Sequence, residues 1–163
     1  MSEGNRRVYF FDTSALVKRY HREVGTNGVD AAFADKDASK LISDLSVIEF
    51  SSAFAKKVRT GEVTAEDFRE TIKEIAEDVR SGVIEVAVFG DSEKKEAAVL
   101  IEKHGLSRNL RTLDAIQLAV MKKLSSQTIT HVYCADRPFA ALIKEEGFSV
   151  INPEEESSET QPT

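Results

Sequence analysis

The sequence is poor in the residues that staple small folds. Its 163 residues include one cysteine, so no disulfide framework can form, and no paired Cys/His spacing marks a zinc site. It holds three prolines and no tryptophan, which excludes collagen-like and proline-rich extended chains. No apolar stretch approaches the roughly 20 residues that a membrane-crossing helix needs, so no membrane role is expected. Met1 to Arg7 is polar, so a secretory leader is not expected and a cytoplasmic location is. A basic excess is also missing: Lys and Arg number 22 against 28 Asp and Glu, for a net charge of -6. Proteins that grip nucleic acid through its phosphates usually carry the opposite sign. Any role on nucleic acid must then rest on local basic clusters or on metal ions.

What is present is an ordinary globular balance, 41% hydrophobic and 31% charged. The chain is long enough to bury the core of one domain. Acid is concentrated at its end, where Glu154, Glu155, Glu156 and Glu159 follow Pro153 without a base. The net charge of -6 falls to -2 once these four are set aside. Residues 1–153 therefore read as a single domain and 154–163 as an acidic, disordered tail.

Apolar periodicity divides the domain into alternating elements. Val8 to Phe11 reads as a buried strand, followed by a helix from Ala15 to Tyr20 and a short one carrying Val29, Ala32 and Phe33. Lys40 to Ser43 is a strand candidate. Leu45 to Arg59 is helical, with Val47, Phe50, Phe54 and Val58 on one face, and Thr64 opens the next helix through Phe68, Ile72, Ile75 and Val79. Val83 to Phe89 reads as a strand. Asp91 or Ser92 caps a helix to His104, and Thr112 caps another to Leu124. Thr130 to Ala135 is a strand, Asp136 starts a helix with Pro138 in its first turn, and Phe148 to Ile151 is the last strand. This alternation predicts a three-layer α/β/α sandwich around a mostly parallel sheet of about five strands.

In an open α/β sheet, ligands bind beyond the carboxyl ends of the strands. Asp12 directly follows the first strand, and Asp136 follows the fourth. Glu49 lies in the first turns of the helix after the second strand, and Asp114 in the first turn of the helix before the fourth. Taken singly, each reads as an ordinary cap or helix-dipole residue; Glu49 stands three residues after Ser46, the capping-box spacing. Taken together, four carboxylates at one rim repel one another and raise each other's pKa. A hard divalent cation, Mg²⁺ or Mn²⁺, removes that penalty and can activate water against a phosphodiester.

Four blocks carry a family resemblance. Phe11-Asp12-Thr13-Ser14-Ala15-Leu16-Val17-Lys18 resembles the opening motif of PIN-domain proteins, in particular VapC-type toxins of toxin–antitoxin pairs. Ser46-Val47-Ile48-Glu49-Phe50-Ser51-Ser52-Ala53, Leu113-Asp114-Ala115-Ile116-Gln117-Leu118-Ala119 and Cys134-Ala135-Asp136-Arg137-Pro138-Phe139 continue it in family order. The resemblance spans Val8 to Pro153. It implies a PIN-like fold and a Mg²⁺- or Mn²⁺-dependent ribonuclease, with metal binding and catalysis on Asp12, Glu49, Asp114 and Asp136. Ser14 is the implied supporting hydroxyl, with Thr13 and Thr112 as weaker candidates. It also implies an RNA substrate, an antitoxin protein as partner and a homodimer.

Arg108, Arg111 and Arg137 flank the expected rim and are candidates for RNA phosphate contacts, against the alternative of solvated surface charge. Cys134 reads as a buried small hydrophobe, and His104, before a helix-stopping glycine, as a helix-terminal charge. The Phe50/Phe54 and Phe68/Ile72 stripes read as core. A catalytically silent PIN-fold interaction module is the rival expectation. A haloacid-dehalogenase-type phosphatase ranks lower, because it wants a second aspartate where Ser14 stands.

Overall fold

The computed structural model describes residues 6–155. Five strands form one sheet in the order β3-β2-β1-β4-β5, and all of their pairings are parallel. They are β1 (Arg7–Phe11), β2 (Ala38–Ser43), β3 (Glu85–Ala87), β4 (His131–Tyr133) and β5 (Val150–Ile151). Seven helices connect and flank them among the described residues: α1 (Thr13–Tyr20), α2 (Thr26–Ala34), α3 (Asp44–Arg59), α4 (Ala65–Arg80), α5 (Asp91–His104), α6 (Thr112–Leu124) and α7 (Arg137–Glu145). The expected α/β sandwich with five strands is what the chain builds.

β1 lies in the middle, and its alternation sorts the two faces. Phe10 joins Leu100, Leu118, Met121, Val132 and Ile143 in a core roofed by α5, α6 and α7. Tyr9 and Phe11 join Leu16, Val29, Phe50, Phe54 and Ile75 under α1 to α4. Phe50 and Phe54 are fully buried, as the stripe predicts, and Phe68 and Ile72 pack partly buried against the same cluster. No described helix is long and apolar enough to cross a membrane.

Several boundaries differ from the sequence reading. Only Glu85–Ala87 of the apolar run at 83–89 pairs, and only His131–Tyr133 of the run at 130–135. Helix α3 starts one residue early because Ser43, not Ser46, caps it: the Ser43 hydroxyl accepts from the Ser46 N–H. Glu49 is thereby freed from the capping box the spacing suggests. Arg111, not Thr112, is the N-cap of α6 and gives no side-chain cap; Thr112 is its exposed first residue. Gly90 precedes α5, and Glu93 accepts the Gly90 N–H over 2.6 Å in place of a cap from Asp91 or Ser92.

The end of the domain is anchored. Buried Lys18 on α1 sends Nζ to Glu23 at 2.9 Å and to Glu154 at 2.7 Å. Gly25 takes a positive φ of 90°, and a Cβ there would stand 3.1 Å from the Pro153 carbonyl carbon. Glu154 and Glu155, the first residues of the expected tail, are thus placed, with Glu155 also accepting from Asn152 over 3.4 Å. Its remainder, 156–163, lies outside the described residues.

Candidate active site

The sheet order sets where a site can form. The chain runs outward from β1 to β2 and β3, then returns to place β4 on the other side of β1. The topological switch is therefore the crevice between the carboxyl ends of β1 and β4. Asp12 leaves β1 there, its backbone N–H donating to the Tyr133 carbonyl of β4 over 3.0 Å. Asp136 follows β4 and caps α7, accepting from the Phe139 N–H over 3.0 Å. Their capping roles are real, yet each carboxylate has a second oxygen to spend.

Asp12 is buried, 6% exposed. Its Oδ2 accepts from the Ser14 hydroxyl at 2.5 Å and from the Ser14 N–H at 3.1 Å. Burial pushes its pKa up to about 6; the Ser14 bonds oppose this, and the charges of Glu49 and Asp114 add to it. Asp114, in the first turn of α6, is also raised by burial, with Arg111 opposing and Asp136 reinforcing. Asp12 thus feels the charges of Glu49 and Asp114, and Asp114 feels that of Asp136, so the four expected acids form a chain of neighbours along the rim.

Glu49 sits in the second turn of α3, half-buried, and its Oε1 is held from two sides. The Thr13 hydroxyl donates to it over 3.2 Å and Gln117 Nε2 over 2.8 Å. Ser14 and Thr13 thus both support the rim, Ser14 also accepting from the Ala135 N–H over 3.0 Å. Gln117 was not expected. It is fully buried in α6, donates to Ser46 Oγ at 2.8 Å and accepts from Ser43 Oγ at 2.8 Å. Its signal was available: an uncharged polar residue three positions after Asp114 inside an otherwise apolar run.

Arg111 occupies the centre of the electropositive question. Its Nε lies 2.8 Å from Asp114 Oδ2, and one terminal nitrogen lies 3.3 Å from Asp114 Oδ1 and 3.2 Å from Asp136 Oδ2. Arg108 instead pairs with Glu145 at 2.8 Å, and exposed Arg137 stands 3.8 Å from Glu155. A cleft of about 520 Å³ opens at the acids, lined by Asp114 and Asp136 together with Arg108, Asn109, Arg111 and apolar residues of α7.

Cys134 is buried one residue past β4, with its Sγ 3.8 Å from Asp12 Oδ2; burial drives its thiol pKa far up, so it serves as packing beneath the rim. His104 is buried, with Nε2 2.6 Å from Glu146 Oε1, remote in role from the acids.

The donor set fits a hard divalent cation: carboxylates, two of them buried with raised pKa values, backed by hydroxyls and an amide. As they stand, no three His, Cys, Asp or Glu side chains among the described residues are gathered as a metal cluster. The Arg111 guanidinium supplies the positive charge between Asp114 and Asp136 instead.

The family model described as PIN domain matches residues 9–141. No curated protein matches the chain. Among solved structures, the chain is similar to Mycobacterium tuberculosis VapC20, a toxin that cleaves the sarcin–ricin loop, with 21% identity, a TM-score of 0.65 and coverage of 89% of this chain and 99% of that one. It is also similar to a chain of a toxin–antitoxin complex from Klebsiella pneumoniae (14% identity, TM-score 0.58, 89% and 97% covered). A third likeness is to VapBC2 from Rickettsia felis, bound to a fragment of promoter DNA (13% identity, TM-score 0.56, 89% and 98% covered). At these identities the likeness is one of fold.

Proposed function

Because the chain belongs to the PIN-domain family, we propose that it is a divalent-metal-dependent ribonuclease and the toxin of a VapBC-type pair. The observation that carries this reading is the rim itself: Asp12, Glu49, Asp114 and Asp136 are delivered from four separate segments to the switch point of the sheet. Capping of α1 accounts for Asp12 at this position but not for two further carboxylates beside it, whose repulsion costs stability that a cation at that edge would recover.

Asp12, Glu49, Asp114 and Asp136 would hold Mg²⁺ or Mn²⁺. When bound, the ion supplies an activated water and neutralises charge that develops on the phosphodiester. Ser14 fixes the Asp12 carboxylate through two hydrogen bonds, and Gln117 with Thr13 fixes Glu49. Orientation of this kind would let the acids converge on an ion in spite of their repulsion. Arg108 and Arg111 on the cleft, and exposed Arg137 beyond it, would supply the contacts to an RNA backbone, offsetting locally the net negative charge of the chain.

The solved toxin–antitoxin relatives support an antitoxin as partner. Exposed Val47 and Ile48 on α3 and Leu113 on α6, neighbours in sequence of Glu49 and Asp114, are the apolar surface offered to it or to a second copy of the chain. A cytoplasmic location goes with this reading.

The test is incubation of single-stranded RNA with the purified chain and Mn²⁺, followed by analysis of the new ends. Water attack leaves a phosphate on one fragment and a free hydroxyl on the other, and the reaction stops in EDTA. Cleavage that persists in EDTA, or that leaves 2′,3′-cyclic phosphate ends, would overturn the reading. Mn²⁺ binding without cleavage of any RNA would favour the silent interaction module.

A further inference from the structure

We propose that Arg111 is a resident counter-ion whose guanidinium takes the place of a divalent cation between Asp114 and Asp136, so that metal uptake and release of Arg111 from these two acids are a single exchange. This rests on the metal-nuclease reading and adds a regulatory residue to it.

The geometry is that of a neutralising clamp. Arg111 makes two contacts to Asp114, at 2.8 and 3.3 Å, and one to Asp136 at 3.2 Å. Its own pKa is raised by the hydrogen bond to Asp114, by the charge of Asp114, and further by those of Asp136 and Asp12. A guanidinium cannot shed its proton at any ordinary pH, so it leaves this position only by moving. Its way out is open to solvent: its side chain is 62% exposed, whereas the Asp114 side chain is 12% exposed. Arg111 also sits at the end of the 105–111 loop, at the N-cap of α6, where extended backbone (φ -74°, ψ 153°) holds no strain. A few side-chain torsions carry the guanidinium away while Asp114 stays fixed in the helix.

The exchange is driven by charge. One cation of charge +1 facing several carboxylates leaves repulsion that an ion of charge +2 reduces further. Hydrogen bonds to a half-exposed guanidinium are weak competition for such an ion. Arg111 already lines the cleft with Arg108, Asn109, Asp114 and Asp136, so on leaving the acids its charge stays beside them, where a phosphodiester is the complementary occupant. Arg108 provides the internal comparison: it is on the same loop and lines the same cleft, yet it pairs with Glu145 and touches none of the four acids.

The experiment is calorimetric titration of Mn²⁺ alone into the full chain, in wild-type, Arg111→Gln, Arg108→Gln and Asp12→Asn forms, with melting temperatures measured in EDTA and in Mn²⁺. Arg111→Gln is expected to bind Mn²⁺ about tenfold more tightly than wild type, about 1.4 kcal/mol. Arg108→Gln is expected to match wild type. In EDTA, Arg111→Gln melts lower than wild type, and Mn²⁺ closes the gap, which a purely structural loss would not do. Equal Mn²⁺ affinity in wild type and Arg111→Gln, with binding lost in Asp12→Asn, overturns the exchange and leaves the nuclease reading intact. A melting deficit that Mn²⁺ does not close also overturns the exchange. Failure of both wild type and Arg111→Gln to bind Mn²⁺ overturns the exchange and the metal reading together.

Discussion

Gln117 Nε2 donates to Glu49 Oε1 over 2.8 Å and to Ser46 Oγ over the same distance, joining α6 to α3 through one fully buried amide. Its Oε1 accepts from Ser43, the cap of α3. A single side chain thus ties the start of α3, the helix bearing Asp114, and the carboxylate of Glu49 together.

Removing that amide strands three polar partners. Gln117→Leu fills the space but leaves Ser43, Ser46 and Glu49 short of hydrogen bonds. It is expected to lose about 1–3 kcal/mol of stability, read as a lower urea midpoint at unchanged slope. A midpoint equal to wild type would show that the network is dispensable.

The candidate site was legible in the sequence to the extent that its residues serve local structure. Asp12 and Asp136 stand at strand ends and cap helices, so position in the chain placed them at the rim. Gln117 was legible only as a polar residue in an apolar run, not in its role, because its partners Ser43, Ser46 and Glu49 are about 70 residues away and only packing of α6 on α3 makes its polarity useful. The reading of Ser46 as a cap failed for a related reason: Ser43 ends β2 and reaches the Ser46 N–H first. Strand β3 was overestimated because the apolar run at 83–89 lies at the sheet edge, where β2 offers only three partners, Leu41, Ile42 and Ser43. The role of Arg111 lay beyond sequence reasoning, since its position three residues before Asp114 suits a surface ion pair as well as a clamp to Asp136.

The raised pKa of Asp12 makes a signed prediction. Burial, with Glu49 and Asp114 adding, lifts it from 3.8 to about 6 in the folded chain. The folded state then holds this proton more tightly than the unfolded state, so its contribution is present at low pH and is lost as pH rises through about 6. In EDTA, wild type should lose about 3 kcal/mol between about pH 4 and pH 7 from this group. Asp12→Asn keeps the shape and removes the titration. Urea unfolding at about pH 5 and pH 7.5 should show the variant gaining on wild type as pH rises, and parallel pH dependence in the two would contradict the shift.

Glu146 makes the opposite prediction on the far side of the fold. Burial raises its pKa, but hydrogen bonds from Lys103, His104 and Lys122 prevail and hold it at about 2. Its folded value is depressed, so the stabilisation is complete above the unfolded value and fades as pH falls toward about 2. With its side chain 5% exposed, Glu146→Gln should cost about 2–4 kcal/mol at neutral pH. It should leave Mn²⁺ binding unchanged, because Glu146 touches none of the four acids. Thermal unfolding and Mn²⁺ titration of the same sample check both halves.

The central claim is that Asp12 and Asp114 act together on one phosphodiester through a shared ion. The direct measurement is the initial rate of RNA cleavage in Mn²⁺ by wild type, Asp12→Asn and Asp114→Asn, each shown by circular dichroism to be folded. The account predicts that either substitution lowers the rate by at least about 100-fold, and that the double variant is no slower than the worse single one. Equal rates in all three proteins would contradict it.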